Sequence, residues 1–249
     1  MTTNPTVEKL REMKLFVMAE RFKEQLSNPK ISALSFEDRV GLMVDAEHTS
    51  RKNNRLMRLV KSAGYALPHA SLEDIDYRPD RELDKGLIAR LSTCNYIREY
   101  YNIIILGATG SGKTYLANAL GMTASRNYFT VKYIRLPELL GELAIARAEG
   151  SYRKVLKQYE QVNLLIIDEW LLYEIKETEA RDLLEIIESR YKKGSMVFCS
   201  QFDIDDWRPQ LGKTTVAEAI CDRIIYQSQT IFIKGEDSMR KHTGLKGDL

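Results

Sequence analysis

Apolar residues recur every three or four positions over about the first 64 residues, which is the spacing of one helix face. A first helix is predicted over residues 5 to about 28, and Asn28-Pro29 marks its end. Residues 35–38 resemble a capping box that begins a second helix, which ends near Gly64. The expected buried positions are Leu15, Met18, Phe22 and Leu26 in the first helix, and Phe36, Val40, Met43 and Val44 in the second.

Beyond about residue 83, short apolar runs alternate with segments of helical spacing. Strands are predicted at residues 103–106, 130–134, 163–167, 196–199 and 230–233. Helices are predicted at residues 113–126, from 137 to about 161 in two stretches, 177–191 and 215–226. Such alternation predicts an α/β fold with a five-stranded parallel sheet and helices on both faces. Residues 66–82, with Pro68 and Pro79, are interpreted as a linker, so the predicted domains are a helical module at 1–70 and an α/β domain at 71–249.

Composition narrows the class of protein but does not identify it. The chain has 249 residues, of which 44% are hydrophobic and 29% charged, an ordinary balance for a soluble protein. No apolar stretch approaches the ~20 residues of a membrane span, and the N-terminus lacks the features of a secretory signal. Cys94, Cys199 and Cys221 have neither disulfide nor zinc-ligand spacing. A cytoplasmic protein without membrane partners is expected.

The most specific chemical signal is the segment Gly-Ala-Thr-Gly-Ser-Gly-Lys-Thr at residues 107–114, between a predicted strand and a predicted helix. Glycines let the backbone N–H groups surround a pyrophosphate, and the helix N-terminus directs its positive dipole at the same anion. Lys113 is expected to reach the outer phosphates, and the Thr114 hydroxyl to bind Mg²⁺. The candidate nucleotide-binding residues are Gly107, Thr109, Gly110, Ser111, Gly112, Lys113, Thr114 and Tyr115.

Two acids follow the apolar run at residues 164–167. Asp168 is the expected second ligand of Mg²⁺, directly or through water, and it counts among the nucleotide-binding residues. Glu169 is the candidate that polarises an attacking water, a role that many phosphoryl-transfer kinases do not need. An ordinary strand end with a polar cap is the competing interpretation, and the phosphate loop argues against it.

Four further sets of polar residues are candidates with a plain structural alternative. Ser200 or Gln201, at the end of the fourth predicted strand, could sense the terminal phosphate, or could simply end the strand. Arg223 lies in an apolar helix. It could be a surface cation paired with a nearby acid, or an arginine that completes the phosphate site of a neighbouring subunit. Arg240 belongs to a basic tail or folds back onto the nucleotide. Arg51, Arg55 and Arg58 share one helix face, which is solvated or contacts DNA phosphates.

Taken together, these motifs resemble the IstB-like transposition helper ATPases, members of the AAA+ superfamily that are related to DnaC-type helicase loaders. The resemblance covers nearly the whole chain, through residues 10–15, 18–22, 72–77, 107–116, 164–169, 187–191, 200–201, 217–224 and 235–241. The phosphate loop alone marks any P-loop NTPase. The ordered series Ser-Gln, Asp-Arg and Gly-x-Ser-x-Arg is much more specific.

The resemblance implies roles for the ambiguous residues. Ser200-Gln201 would hold the first sensor position, Arg223 the arginine finger and Arg240 the second sensor. A helical insert at residues 137–160 would offer Arg147, Arg153, Lys154 and Lys157 to DNA. About 16 residues follow the last strand, so a minimal or absent C-terminal lid is expected, which departs from many AAA+ proteins.

The resemblance also implies a function. The expected protein binds and hydrolyses ATP with Mg²⁺, forms homo-oligomers with nucleotide at subunit interfaces on duplex DNA, and recruits and stimulates a transposase. The alternative is a DnaC-type replicative helicase loader. A small-molecule or nucleoside kinase is a further rival, and Glu169 with the Arg223 and Arg240 pair favours an oligomeric hydrolase over it.

Overall fold

The N-terminal part of the chain is helical. A computed structural model describes residues 4–212 and 214–234. Its first helices are α1 (Pro5–Glu12), α2 (Phe16–Ser27), α3 (Pro29–Ser32) and α4 (Phe36–Ala63). Contacts divide the chain into two compact units between Arg58 and Leu59, inside α4. The proposed module boundary at residue 70 stays a prediction.

The prediction of one continuous helix over residues 5–28 is wrong, because the chain turns between α1 and α2. Lys14 has a φ of 59°, in the left-handed region. The Leu15 N–H donates to the Leu10 carbonyl at 2.8 Å and the Lys14 N–H donates to the Arg11 carbonyl at 2.9 Å, the two bonds of a Schellman ending. The Glu47 carboxylate of α4 then accepts the first N–H groups of α2, from Val17 at 2.9 Å and Met18 at 3.1 Å.

The expected start of the second helix is confirmed, but its buried stripe is only partly right. The Asp38 N–H donates to the Ser35 hydroxyl at 3.1 Å, which caps α4. Met43 is buried, whereas Phe36 is 80% exposed and Val44 is 48% exposed. Leu26 of α2 is also exposed. The core of this unit is small, with Val7, Leu10 and Ala19 at its centre, so its few helices cover only part of their apolar residues.

The second unit contains the predicted parallel sheet. Its strands are β1 (Asn102–Gly107), β2 (Val131–Arg135), β3 (Leu164–Asp168), β4 (Ser195–Ser200) and β5 (Ser228–Ile233). Their order in the sheet is β2-β3-β4-β1-β5, and every neighbouring pair is parallel. The register pairs Leu106 with Ser200 and Arg135 with Asp168. The carboxyl ends of β1, β3 and β4 therefore lie along one edge of the sheet, where ligands bind in open α/β folds.

Helices cover both faces of this sheet, as the alternating pattern predicted. They are α5 (Lys85–Ser92), α6 (Asn95–Arg98), α7 (Lys113–Arg126), α8 (Leu136–Ala148), α9 (Tyr152–Glu160), α10 (Glu177–Arg190), α11 (Trp207–Gln210) and α12 (Thr215–Ile225). Short 3₁₀ turns occur at Leu72–Asp74, Pro79–Arg81 and Ile204–Asp206. Ile104 and Leu106 of β1 pack into one core cluster, and Ile103 and Ile105 pack into the other. This alternation is the period of two that a strand imposes.

Residues 66–82 are a packed part of the second unit, so their interpretation as a linker is wrong. The Leu67 N–H donates to the Asn118 side-chain oxygen at 3.1 Å, and the Ser71 N–H donates to the Tyr115 hydroxyl at 3.3 Å. Arg81 is buried. Pro79 is the first residue of a 3₁₀ turn, and Pro68 lies in the turn that the Ala70 N–H closes by donating to the Leu67 carbonyl at 3.0 Å. In the part of the chain that the structure describes, no helix combines the length and apolar character that crossing a membrane requires.

Candidate nucleotide-binding site

The loop at residues 107–114 leaves β1 and enters α7, as the motif requires. Gly107 has a φ of 157°, and a Cβ placed there would lie 2.5 Å from the Ile233 carbonyl oxygen and 2.8 Å from Ser111 Oγ. Gly112, with a φ of 98°, is the residue that precedes α7. Both positions favour glycine, because a side chain would be strained or would collide. The N-terminus of the 14-residue α7 thus opens directly at the loop.

The Lys113 ammonium lies inside the loop it is expected to serve. Its Nζ donates to the Gly107 carbonyl at 2.7 Å and to the Ala108 carbonyl at 2.8 Å, and the residue is buried. The Ser111 hydroxyl is buried and has no hydrogen-bond partner within residues 4–212 and 214–234. A buried hydroxyl normally has a partner. A preformed cation beside an unsatisfied donor fits the phosphate groups of a nucleotide.

Asp168 is the centre of a hydrogen-bond cluster at the end of β3. Its Oδ2 accepts from the Thr114 hydroxyl at 2.7 Å and from the Tyr133 hydroxyl at 2.8 Å. Its Oδ1 accepts from the Glu169 N–H at 2.8 Å. Thr114 and Asp168, far apart in sequence, thus bring two hard oxygen ligands together, which suits Mg²⁺ bound with phosphate oxygens. Burial, and next the adjacent Asp168 charge, raise the pKa of Tyr133, so its phenol stays a donor.

Glu169 takes a different direction from Asp168. Its φ of 55° ends the strand geometry, and its carboxylate is partly exposed. Oε1 of Glu169 lies 3.8 Å from a terminal nitrogen of Arg135 at the end of β2. The same guanidinium donates to Glu138 through Nε at 3.0 Å, and this hydrogen bond is the main cause that raises the pKa of Arg135. Asp168 is therefore enclosed by neutral donors, whereas Glu169 faces the cavity beside the Arg135 cation.

The sequence left open which of Ser200 and Gln201 faces the site, and the two differ clearly. The Ser200 hydroxyl is buried, donates to the Trp170 carbonyl at 3.1 Å and accepts from the Phe202 N–H at 3.1 Å. Gln201 Oε1 accepts from the Thr109 hydroxyl of the phosphate loop at 2.6 Å. Gln201 lines the cavity with Thr109, whereas Ser200 holds the backbone that carries it.

A cavity of about 800 Å³ opens next to the loop. Thr109, Gly110, Gly112, Lys113, Thr114, Tyr115, Asp168, Glu169 and Gln201 line one part of it, and Leu67, Ile75, Leu83 and Leu116 supply apolar surface. An apolar wall beside a phosphate-binding loop suits the base of a nucleotide. Arg81 closes this region through hydrogen bonds of 2.7 Å to the carbonyls of Ser111 and Asp76. Burial lowers the pKa of Arg81.

Several of these contributors were missed in the sequence. Tyr133 and Arg135 occupy β2, and their contacts with the two acids follow from the pairing of β2 with β3. The alternation of β2 gave no sign of that pairing. Part of the apolar wall comes from the segment interpreted as a linker, where Leu67 and Ile75 offered a signal that its prolines obscured.

Arg223 does not line the cavity of its own chain. It lies on α12, where one terminal nitrogen donates to Glu188 Oε1 of α10 at 2.5 Å and the other donates to the Ala219 carbonyl at 3.0 Å. This location brings it neither to Lys113 nor to Asp168 within one subunit. Arg240, the candidate second sensor, lies outside the described residues, as does the expected short C-terminal tail.

The candidate DNA-binding residues are exposed, and several already have intramolecular partners. Arg51 pairs with Glu47 at 2.8 Å and donates to the Lys14 carbonyl at 3.0 Å, whereas the Arg58 Nε donates to the Asn54 carbonyl at 3.2 Å. Arg55 is on the same exposed stretch. In the second unit, Arg147 pairs with Asp182, and Arg153 pairs with Glu185 at 2.7 Å. Lys154 and Lys157 are exposed on α9.

A phosphate loop after β1, an acid pair after β3 and the strand order β2-β3-β4-β1-β5 define a P-loop nucleotide-binding protein. The sequence comparison is more specific. The chain belongs to the family of IstB-like ATP-binding proteins, whose family model matches residues 8–247. The resemblance inferred from the motifs is confirmed.

Individual relatives match over most of their length. The chain is 37% identical over 243 residues to an insertion-sequence ATP-binding protein, y4pL, of Sinorhizobium fredii (strain NBRC 101917 / NGR234), covering 96% of this chain and 98% of the relative. It is 40% identical over 201 residues to the ATP-binding protein of insertion sequence IS1162 of Pseudomonas fluorescens, covering 81% of this chain and 87% of the relative.

Solved structures share the fold of this chain, which is that of AAA+ P-loop proteins. AMPPCP-bound DnaA from Aquifex aeolicus matches with a TM-score of 0.58 and 20% identity, over 70% of this chain and 52% of that one. The DnaC helicase loader matches with a TM-score of 0.54 and 19% identity, over 66% of this chain and 97% of that one. The predicted fold class is confirmed.

Proposed function

We propose that this protein is an ATP-hydrolysing helper of DNA transposition, which assembles as oligomers on duplex DNA and recruits and stimulates a transposase. The observation that carries the proposal is the preformed contact of 2.7 Å between Thr114 and Asp168, with Glu169 next in the chain. The relatives are ATP-binding proteins of insertion sequences and match nearly from end to end, which supports the transposition setting.

Nucleotide binding is assigned to the loop and to the apolar wall. The phosphates would draw Lys113 Nζ from the Gly107 and Ala108 carbonyls and give the Ser111 hydroxyl a partner. Thr114 and Asp168 would hold Mg²⁺, which would neutralise charge on the phosphates when bound. Lys113→Ala is expected to abolish tight ATP binding. Unchanged affinity for ATP in a direct binding assay would count against the assigned pocket.

Hydrolysis is assigned to Glu169 and Gln201. The Glu169 carboxylate would orient and deprotonate the attacking water, and Gln201, already in contact with Thr109, would sense the terminal phosphate. Ser200 was an equal candidate from the sequence, but its hydroxyl is occupied by backbone groups. Gln201→Ala should therefore slow hydrolysis, and Ser200→Ala should mainly lower stability. Steady-state ATPase assays and thermal unfolding of both variants test this assignment.

Arg223 is assigned to the site of a neighbouring subunit, because its position on α12 does not reach the cavity of its own chain. Arginines that act in trans contribute on the order of 10³ or more in rate. Arg223→Ala should lose hydrolysis and keep nucleotide binding. Mixing Arg223→Ala with Lys113→Ala subunits should restore part of the activity, since each supplies what the other lacks at one interface. Mixed oligomers without restored activity would refute the assignment.

Contact with duplex DNA is assigned to exposed basic residues of both units. Arg51 pairs with Glu47, which accepts N–H groups at the start of α2, so its replacement would disturb the fold. The test of the N-terminal face therefore changes Arg55 and Arg58 to Ala. A parallel variant changes Lys154 and Lys157 of α9. Each phosphate contact that is lost should flatten the slope of log affinity against log salt by about 0.9. Arg181→Ala, which removes an exposed arginine of α10 paired with Glu177, is the matched control and should leave the slope unchanged.

The proposed location is the cytoplasm, and residues 1–70 are proposed as the module that contacts partners or DNA. The central experiment asks whether ATP causes defined oligomers to form on duplex DNA, and whether these oligomers stimulate a transposase encoded beside the gene. The alternative function, a replicative helicase loader, is supported by fold likeness to the DnaC loader. Loading of a helicase without any effect on a transposase would favour that alternative.

A further inference from the structure

The guanidinium of Arg223 is held at two points of its own subunit. One terminal nitrogen donates to Glu188 Oε1 of α10 at 2.5 Å, and the other donates to the Ala219 carbonyl, one turn earlier in α12, at 3.0 Å. A guanidinium has five N–H donors. Within the part of the chain that the structure describes, Nε and one N–H of each terminal nitrogen have no partner, so three donors remain for an anion.

The ion pair is partly exposed, with 31% of the Arg223 side chain and 52% of the Glu188 side chain accessible. An exposed pair of this kind adds little to the stability of a fold. Its effect on a long side chain is conformational, because two fixed contacts select one orientation from the many that a free arginine would populate. A side chain that is held in one orientation before assembly does not have to lose conformational entropy when it acts in the reaction.

We infer that Glu188 is a positioning residue for Arg223, which keeps the guanidinium in one orientation with its unpaired N–H groups available to the nucleotide of a neighbouring subunit. The inference rests on the proposed role of Arg223 in trans. Glu188 does not touch the nucleotide in this arrangement, and its carboxylate stays on the side of the guanidinium away from the phosphate. Pairing also keeps the negative charge of Glu188 from repelling that phosphate.

The test replaces Glu188 with Ala, and separately with Gln, whose amide oxygen keeps a hydrogen-bond acceptor without the charge. In DNA-bound assemblies, Glu188→Ala should lower kcat for ATP hydrolysis by about tenfold, and Glu188→Gln by less. KM for ATP should stay unchanged, because the nucleotide pocket of the mutated subunit is intact. Glu177→Ala is the matched control: Glu177 also lies on α10 and forms an exposed ion pair with a different arginine, Arg181, at 2.6 Å, so its kcat should match the wild type.

Two further measurements separate positioning from a general structural effect. Adding Glu188→Ala to Arg223→Ala should cause no further loss of kcat, since Glu188 acts only through that arginine. In mixtures with Lys113→Ala subunits, which keep the Arg223–Glu188 pair, Glu188→Ala subunits should hydrolyse ATP faster than they do alone, because the neighbour supplies a correctly held arginine. The control Glu177→Ala subunits should show no such gain. Thermal unfolding should show the same folded state in all variants.

The possible outcomes distinguish a failure of this inference from a failure of the proposed function on which it rests. If Arg223→Ala hydrolyses ATP normally in assemblies, the proposed role of Arg223 fails. If Arg223→Ala is inactive and is complemented by Lys113→Ala subunits, but Glu188→Ala keeps the wild-type kcat or exceeds it, Arg223 acts in trans and the positioning role of Glu188 is overturned. A rise in kcat would identify Glu188 as a brake on the arginine instead.

Discussion

Removing the hydroxyl of Tyr133 is the sharpest perturbation of the proposed Mg²⁺ site. Tyr133→Phe deletes one oxygen from a buried side chain and leaves the ring in place. The lost atom donates to Asp168 Oδ2 at 2.8 Å, while the Thr114 hydroxyl at 2.7 Å and the Glu169 N–H at 2.8 Å still donate to the same carboxylate. The carboxylate therefore loses a donor that fixes its direction, without losing its place in β3.

The magnitude follows from these contacts. A hydrogen bond to a charged group contributes about 1.5–3 kcal/mol. Because two donors remain, the lower end of that range applies, and ~1.5 kcal/mol corresponds to about a tenfold change in an equilibrium constant. Outer partners of metal ligands affect metal affinity by about 10–100-fold, which includes this value. Tyr133→Phe should thus weaken Mg²⁺ binding about tenfold, and nucleotide affinity without metal should not change.

The assay is a Mn²⁺ or Mg²⁺ titration of the protein with a non-hydrolysable ATP analogue, followed by electron paramagnetic resonance for Mn²⁺. Tyr159→Phe is a close control, because Tyr159 is also buried and its hydroxyl also donates to a carboxylate, that of Glu142, away from the cavity. Both variants should lose similar stability in thermal unfolding. Equal metal affinity for Tyr133→Phe, Tyr159→Phe and the wild type would refute the reasoning.

Three other substitutions have definite expected outcomes. Glu169→Gln should bind ATP but nearly stop hydrolysis, since the amide cannot accept a proton; normal single-turnover rates would remove Glu169 from the mechanism. Gly107→Ala should abolish ATP binding and lower stability by about 1–3 kcal/mol. Gly141→Ala, at an exposed position of α8 where nothing lies within 4 Å of the added Cβ, should instead raise stability slightly in denaturant unfolding. Arg190→Met should lower the free energy of unfolding by about 3 kcal/mol or more, because this buried arginine donates to the carbonyls of five residues. Burial lowers the pKa of Arg190 only to about 10, so it remains charged at neutral pH. A wild-type denaturation midpoint would contradict that role.

The second unit was predictable because its signals are local and repeated. Each strand is a short apolar run, and α7 begins at Lys113 and ends at Arg126 as the pattern indicated. Parallel pairing then followed from the helices between the strands. The first unit was less predictable, because helical spacing stays in phase across the turn at Lys14 and does not reveal which apolar residues lack a neighbour. Phe36 and Val44 were therefore predicted to be buried, but both are exposed.

The predictable part of the site lies in contiguous sequence motifs, because the order of residues within a motif indicates its chemistry. These motifs contain Lys113, Thr114, Asp168 and Glu169. Tyr133 reaches Asp168 only because β2 pairs with β3, which is a property of strand order and not of spacing. The choice between Ser200 and Gln201 depended on where a single hydroxyl points. That direction is set by the Trp170 carbonyl, which the sequence does not place.

The packing of Trp170 explains how two adjacent acids acquire different surroundings. A strand continuing through Glu169 would direct its side chain to the opposite face from Asp168. Instead, Glu169 has a φ of 55°, and the next N–H, that of Trp170, donates to the Cys199 carbonyl of β4 at 2.8 Å. The buried indole packs against Phe198 at 4.7 Å and Trp207 at 5.7 Å between ring centres. A left-handed residue costs free energy that surrounding contacts must offset. We expect the aromatic cluster to offset it, so the packing of a buried core fixes the direction of the acid proposed to orient water.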